Sequence, residues 1–421
     1  MRICFYGLFG QGNLGNEATL QAILSETRRY APDAELLCIC TDPVDTRARH
    51  HISATPISPR YLRRGGDAGR SRPSHRIGTW CRRAVRGVAK EALHWVTALR
   101  TLWGKDMLIV PGTGFLTDAS SSAFGWPYDI FKWSLVAKLC RCRLVYLGVG
   151  AGPVYRPLSR WFITVALALA DFRSYRDSST SAYLRDLGFS RASDRVSPDL
   201  AFGLSPAIFA GPPAPTGHRP VVGIGVMNPP GRLSTATAEV HRAYLDTLAT
   251  FARWLLAHDH DVRVLIGDFA YDAGVLEEFG ASLKRTLAPG KEDRVTCTPA
   301  GSVEELLSQI ATTDLVVATR FHNVLLSLLA GKPVIAISFH HKSVSLMGQM
   351  GLSEYSRDIS AVDSAWLIER TGALARDAQR VRGLVRQRTD DFRRSLDEQY
   401  RLVFADRAGA SVPAGSASSV P

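Results

Sequence analysis

Long apolar runs are missing from this chain of 421 residues: the longest, Trp161 to Ala170, is too short to span a bilayer. Paired CxxC units are missing too. The seven cysteines (Cys4, Cys38, Cys40, Cys81, Cys140, Cys142, Cys297) are scattered, mostly within apolar strand-like runs, which excludes a zinc cage and points to reduced thiols. The opening residues, MRICFYGLFG, lack the charged, apolar and cleavage regions of a secretory leader, so a cytoplasmic protein is expected. No Asp-x-Asp ends a strand and no His/Asp/Glu cluster has ligand spacing; neither metal nor other cofactor is expected. Acid is scarce, with 39 Asp and Glu against 51 Lys and Arg and a formal net charge of +12. That balance favours an acidic partner, whether nucleic acid, anionic lipid or a small anionic substrate. Nucleic acid is not expected, because no nucleic-acid motif is present and the aromatic residues are not interleaved as stacking platforms.

What is present is a repeated alternation of apolar strands and helices, in a chain long enough for two domains with full cores. The central stretch is residues 315–342, LVVATRFHNVLLSLLAGKPVIAISFHHK. It reads as a strand (Leu315 to Ala318) ending on Arg320 and His322, a short helix from about Asn323 to Leu329, and a second strand (Pro333 to Ser338) ending on His340, His341 and Lys342. Such a βαβ unit delivers both strand ends to one rim of a parallel sheet, beside a helix N-terminus that favours an anion. Arg320, His322 and Lys342 are therefore expected in one crevice.

Upstream, a first strand (3–7) runs into GLFGQGNLGNEATLQAIL, where Gly10, Gly12 and Gly15 permit close backbone approach and Asn13, Asn16 and Glu17 can bind hydroxyls or cap the helix. Gly112-Thr113-Gly114 and Gly148, Gly150, Gly152 end two further strands. Arg176, beside Asp177, ends another, and is either an anion ligand or half of a local ion pair. Asp118, Asp199 and Asp268 stand near strand ends, where each either activates a hydroxyl or caps a turn. Residues 58–105 form a basic insertion with Arg60, Arg63, Arg64, Arg70, Arg72, Arg76, Arg82, Arg83, Arg86 and Lys90. Its second half is expected to be a helix with an apolar stripe of Trp80, Ala84, Val88, Trp95, Leu99 and Trp103. That helix suits an anionic membrane surface through residues 60–103, or a place on the sheet with a solvated basic face. The division expected is a first Rossmann-like domain over 1–210 and a second over 211–362. Helices over 363–404 return to the first domain, and a disordered tail covers 405–421.

GNLGNEATL (12–20), PGTGFLTD (111–118), GVGAGP (148–153), SYRDSSTSAYLRDLG (174–188), SPDLAF (197–202) and ATRFHNVLLSLLAGKPVIAISFHHK (318–342) stand in the order found in polysaccharide pyruvyltransferases. The chain resembles that family over nearly its whole length. The resemblance implies an α/β, GT-B-like fold: two Rossmann-like doubly wound domains facing a cleft, with a C-terminal helix crossing back. It implies a transferase that moves pyruvate from phosphoenolpyruvate to sugar hydroxyls of an exopolysaccharide or cell-wall glycan, the acceptor being free or lipid-linked; the basic insertion is expected to keep it near the inner face of the plasma membrane. His322 and Arg320 would be catalytic, and Arg176, Arg320, Phe321, His322 and Lys342 would hold phosphoenolpyruvate. Gly12, Asn13, Gly15, Asn16, Glu17, Gly112, Thr113 and Gly114 would face the acceptor. Two positions depart from the pattern: Asn16 replaces an acidic residue, and Thr113 interrupts a run of three glycines. A GT-B glycosyltransferase using a nucleotide sugar is the alternative.

Overall fold

The computed structural model describes the chain except residues 59–76, 120, 206–207, 209–218, 229–234, 286, 288, 340 and 406–421, and the side chains of 77–86 and 235–237. The expectations placed on Arg60 to Arg86, Trp80, Ala84, His340, most of the proline-rich linker and the tail from 406 lie outside the described residues.

The first unit runs β1 (Arg2–Gly7), α1 (Leu14–Tyr30), β2 (Glu35–Cys40), α2 (Pro43–His50), β3 (Ser53–Pro56), α3 (Ile77–Leu102), β4 (Met107–Pro111), α4 (Trp126–Leu139), β5 (Arg143–Val149), α5 (Pro157–Ala168), β6 (Phe172–Tyr175), α6 (Ser178–Asp186) and β7 (Arg195–Val196). The second runs β8 (Val221–Gly225), α7 (Thr235–Ala257), β9 (Asp261–Leu265), α8 (Phe269–Lys284), β10 (Val295–Thr296), α9 (Val303–Ala311), β11 (Leu315–Ala318), α10 (Phe321–Leu329), β12 (Val334–Ser338), α11 (His341–Gln349) and β13 (Ser356–Asp358), followed by α12 (Ser364–Arg376) and α13 (Ala378–Phe404).

Both sheets are parallel, in the orders β3-β2-β1-β4-β5-β6-β7 and β10-β9-β8-β11-β12-β13. The fold is therefore α/β with two doubly wound halves. Buried runs such as MLIVP in β4 and LVVA in β11 suit strands covered on both faces. Side chains alternate across the first sheet. Ile3, Phe5 and Ile109 join a core that continues into the second unit, whereas Cys4, Tyr6, Leu108 and Val110 pack beneath α3, α4 and α5. The cysteines among the described residues are free thiols, and burial pushes those of Cys4 and Cys142 up to about 12.

Strand order reverses between β1 and β4 in one sheet and between β8 and β11 in the other, and ligands collect at such points. There the units meet. Leu14 N donates to the Gly267 carbonyl at 3.0 Å and Phe269 N to the Gly12 carbonyl at 2.9 Å, and Asn13 Nδ2 donates to Asp268 at 2.9 Å. The helices expected over 363–404 are two, separated where Asp377 leaves helical geometry. α12 stays against α7 and β12, while α13 crosses to the first unit. Arg393 donates to the carbonyls of Phe202 and Leu204, Asp397 accepts from Tyr30 at 2.7 Å, and Phe404 stacks on Tyr30.

Candidate active site

The site is built on the N-terminus of α10. The helix begins at Phe321, two residues earlier than periodicity implied, so Phe321 and His322 contribute free first-turn amides; Arg320 occupies the cap position, and its side chain does not cap. Lys342 does not end a strand as expected. β12 stops at Ser338, and Lys342 lies in the first turn of α11.

Arg176 reaches these groups from the first unit. Its guanidinium lies over the Phe321 ring, 4.9 Å from the centroid. It sits 3.4 Å from Asp199 and 3.6 Å from Asp177, and its buried Nη2 has no hydrogen-bond partner among the described residues. Arg176 is thus ion-paired, while one of its donors remains uncommitted among the described residues. A cavity of about 10 Å³, room for roughly one water, is lined by Arg176, Asp177, Asp199, Phe321 and Lys342. Burial first, and Arg176 second, lower Lys342 to about 8 despite the pull of Asp177 and Asp199.

His322 lies against α1. A methyl group built on Gly15 would fall 1.9 Å from its Nδ1, so the ring occupies space that any other residue at 15 would fill. Its Nε2 is buried and unpartnered among the described residues. Burial holds the imidazole down at about 4, against the pull of Asp199 and reinforced by the cations Arg176, Lys342 and Arg320. It is neutral at physiological pH.

Arg320 is less free than the sequence implied. Its Nε and Nη2 form a fork on Asp272 at 2.8 and 2.6 Å, and Asp272 is fully buried. Beside it Asn323, also buried, makes no side-chain hydrogen bond among the described residues and packs against Gly225 and Gly267.

The residues expected on the acceptor side hold the loops together. Asn13 caps α1, and Gly12 and Gly114 take the left-handed conformations available to glycine. Gly112 passes so close to the Gly148 carbonyl that a side chain would clash. Glu17 points about 200° around the helix from Gly15. It accepts from Gly10 N at 2.9 Å and meets His50 at 2.8 Å, beside a groove of about 610 Å³. The two departures from the family pattern converge on Leu8. Its N–H donates to Thr113 Oγ1 at 3.2 Å and its carbonyl accepts from Asn16 Nδ2 at 2.9 Å, bonds that glycine and an ionised acid could not supply. Asp118 accepts from the amides of Tyr155 and Arg156, Asp199 from that of Ala201, and Asp268 from that of Tyr271, so all three serve as cap or turn residues. Asp272 and the side-chain roles of Asn323 and Gly150 carried no signal in the sequence. They matter only because distant segments surround them.

A family model for polysaccharide pyruvyl transferases matches residues 13–341. The chain belongs to the polysaccharide pyruvyl transferase family. The chain is also similar to AmsJ, an amylovoran biosynthesis protein of Erwinia amylovora, at 35% identity over 71 residues, which is 17% of either chain. Among solved structures, HepE of Anabaena in complex with UDP and glucose aligns with a TM-score of 0.56 at 15% identity, covering 97% of this chain and 100% of that one. A UDP-GlcNAc 2-epimerase from Neisseria meningitidis bound to UDP-GlcNAc aligns at 0.54 and 10% identity, covering 91% and 94%. A glycosyltransferase from Rickettsia africae aligns at 0.54 and 10%, covering 96% and 98%. At such identities the likeness is one of fold, and the chain has the GT-B-like arrangement of two facing Rossmann-like halves.

Proposed function

We propose that this transferase moves a pyruvyl group from phosphoenolpyruvate to two hydroxyls of one sugar in an exopolysaccharide or cell-wall glycan, forming a ketal and releasing phosphate. One observation carries the reading: Arg176 of the first half lies over Phe321 and shares a cavity with Lys342 of the second, so cations from both sides converge beside the free amides of α10. A donor with carboxylate and phosphate on adjacent atoms requires several such groups at fixed positions. Because the cavity between them is so small, the halves part to admit the donor.

In the reaction the first hydroxyl adds to the carbon bearing the phosphate ester while a proton goes to the methylene carbon, making it a methyl group. The second hydroxyl then displaces phosphate. We assign the proton transfers to His322. Burial first, and the neighbouring cations after it, keep it neutral in the free protein; the donor's negative charge would raise its affinity for a proton, so that donor binding itself prepares the acid.

Lys342 imposes a pH dependence. It is charged below about 8 and neutral above. Its attraction for the donor is present at lower pH and lost as pH rises through that value, so kcat/KM for phosphoenolpyruvate should fall tenfold per pH unit above it. Lys342→Arg, whose charge persists, should remove the descent. An unchanged alkaline limb in Lys342→Arg would exclude Lys342 as its source.

The direct test is phosphate release and ketal formation by purified protein given phosphoenolpyruvate and a panel of glycans. Arg176→Ala should abolish both. A melting point raised by nucleotide sugars and indifferent to phosphoenolpyruvate would instead mark a nucleotide-sugar enzyme.

A further inference from the structure

A helix lying on a sheet turns its apolar side inward and its polar side to water. α3 buries Ala98 and Leu102 in this way, yet its outer side carries apolar residues as well. Its inner face brings Glu91 and His94 onto Lys132 at 2.9 and 2.7 Å, while Leu93 and Val96 are 65% and 42% exposed and Trp103, just past its end, is 76% exposed. Val88, Lys90 and Arg100 complete the outer face, and no exposed residue from 87 to 104 is acidic. This corrects the stripe expected from the sequence, since only Trp95 and Leu99 of its described members turn toward the protein.

The character continues over the neighbouring helices. Trp95 bonds Tyr128 of α4, and Phe131 of α4 packs 5.3 Å from Trp161 of α5. Leu158 and Trp161 are exposed beside Arg160, and the sequence from 154 to 170 contains no Asp or Glu. No helix among the described residues is long and apolar enough to cross a membrane.

We infer that the outer face of α3 and α5 is a docking surface for an anionic lipid bilayer, on which Trp103 and Trp161 enter the headgroup region and Lys90, Arg100 and Arg160 meet lipid phosphates. Exposed aromatic and aliphatic side chains among cations, with no carboxylate between them, are the composition of interfacial helices. A second copy fits this face poorly, because a two-fold contact would set its cations against their own equivalents.

Flotation of the full-length protein tests this, with vesicles of phosphatidylcholine alone or mixed with phosphatidylglycerol. We expect flotation with the anionic vesicles that weakens in high salt and is absent with neutral ones. Lys90→Glu/Arg100→Glu and, separately, Leu93→Ser/Trp103→Ser should each lower partitioning about tenfold or more without changing the melting point. All four positions lie outside the catalytic site, so phosphate release with a soluble glycan should persist. The inference thus stands or falls separately from the donor assignment. Flotation equal to wild type in both variants would overturn it, as would no flotation of the wild type. A dimer in light scattering that the serine variant dissolves would also overturn it, by giving the face to self-association.

Discussion

Gly15→Ala should silence the protein as thoroughly as His322→Ala, although residue 15 has no side chain to offer a substrate. Gly15 is the second residue of α1 and its φ is not left-handed, so the backbone itself would accept alanine. The new methyl would, however, meet the His322 ring at 1.9 to 2.5 Å, and the ring would have to leave the cleft. Positioned proton transfer is worth about 10² to 10⁴ in rate, and both variants should lose kcat within that range. The double variant should be little worse than either single one, because both changes remove the same imidazole. Single-turnover phosphate release measures this. Wild-type kcat in Gly15→Ala would detach His322 from the chemistry. Gly150→Ala is the companion case on the other side of the cleft, its methyl lying 2.5 Å from Arg176 Nη2.

Asp272→Ala should be the most destabilising single change near the cleft. Asp272 takes both ends of the Arg320 fork and also accepts from Asn228 N at 2.9 Å, with no exposure to water. Breaking a buried pair from one side typically costs about 3–5 kcal/mol. For domains of this size that lowers the melting temperature by roughly 6–20 °C. Replacing both partners together, Asp272→Leu with Arg320→Met, should recover much of the loss, because no buried charge is then left alone. The recovered protein should still release no phosphate if the fork holds Arg320 Nη1 toward the donor. Melting curves of the two variants decide the first part, and an unshifted Asp272→Ala curve would mean that the pair does not bear on stability.

Local sequence foretold much of the frame because its signals are local. Buried parallel strands read as continuous apolar runs, and Gly331 before Pro333 marks where one element stops and the next starts. α2 and β3 were overlooked, though Asp42 before Pro43 is a helix start in plain view. Local reading failed on α3, whose composition shows which side chains are apolar but not which way they turn. There a buried Lys132 on α4 drew Glu91 and His94 inward.

By itself the sequence determined the α/β class and the family, and set Arg320, His322 and Lys342 within one short stretch of chain, since hydrophobic period and motif order need only neighbours along the chain. The tertiary structure alone decided what each of these groups is free to do. It placed Arg176 over Phe321 across the cleft, bound Arg320 to Asp272, and pressed His322 onto Gly15 among cations. Burial and charge at a site are sums over groups brought together from opposite ends of the chain, and such sums exist only once the two halves have closed on each other.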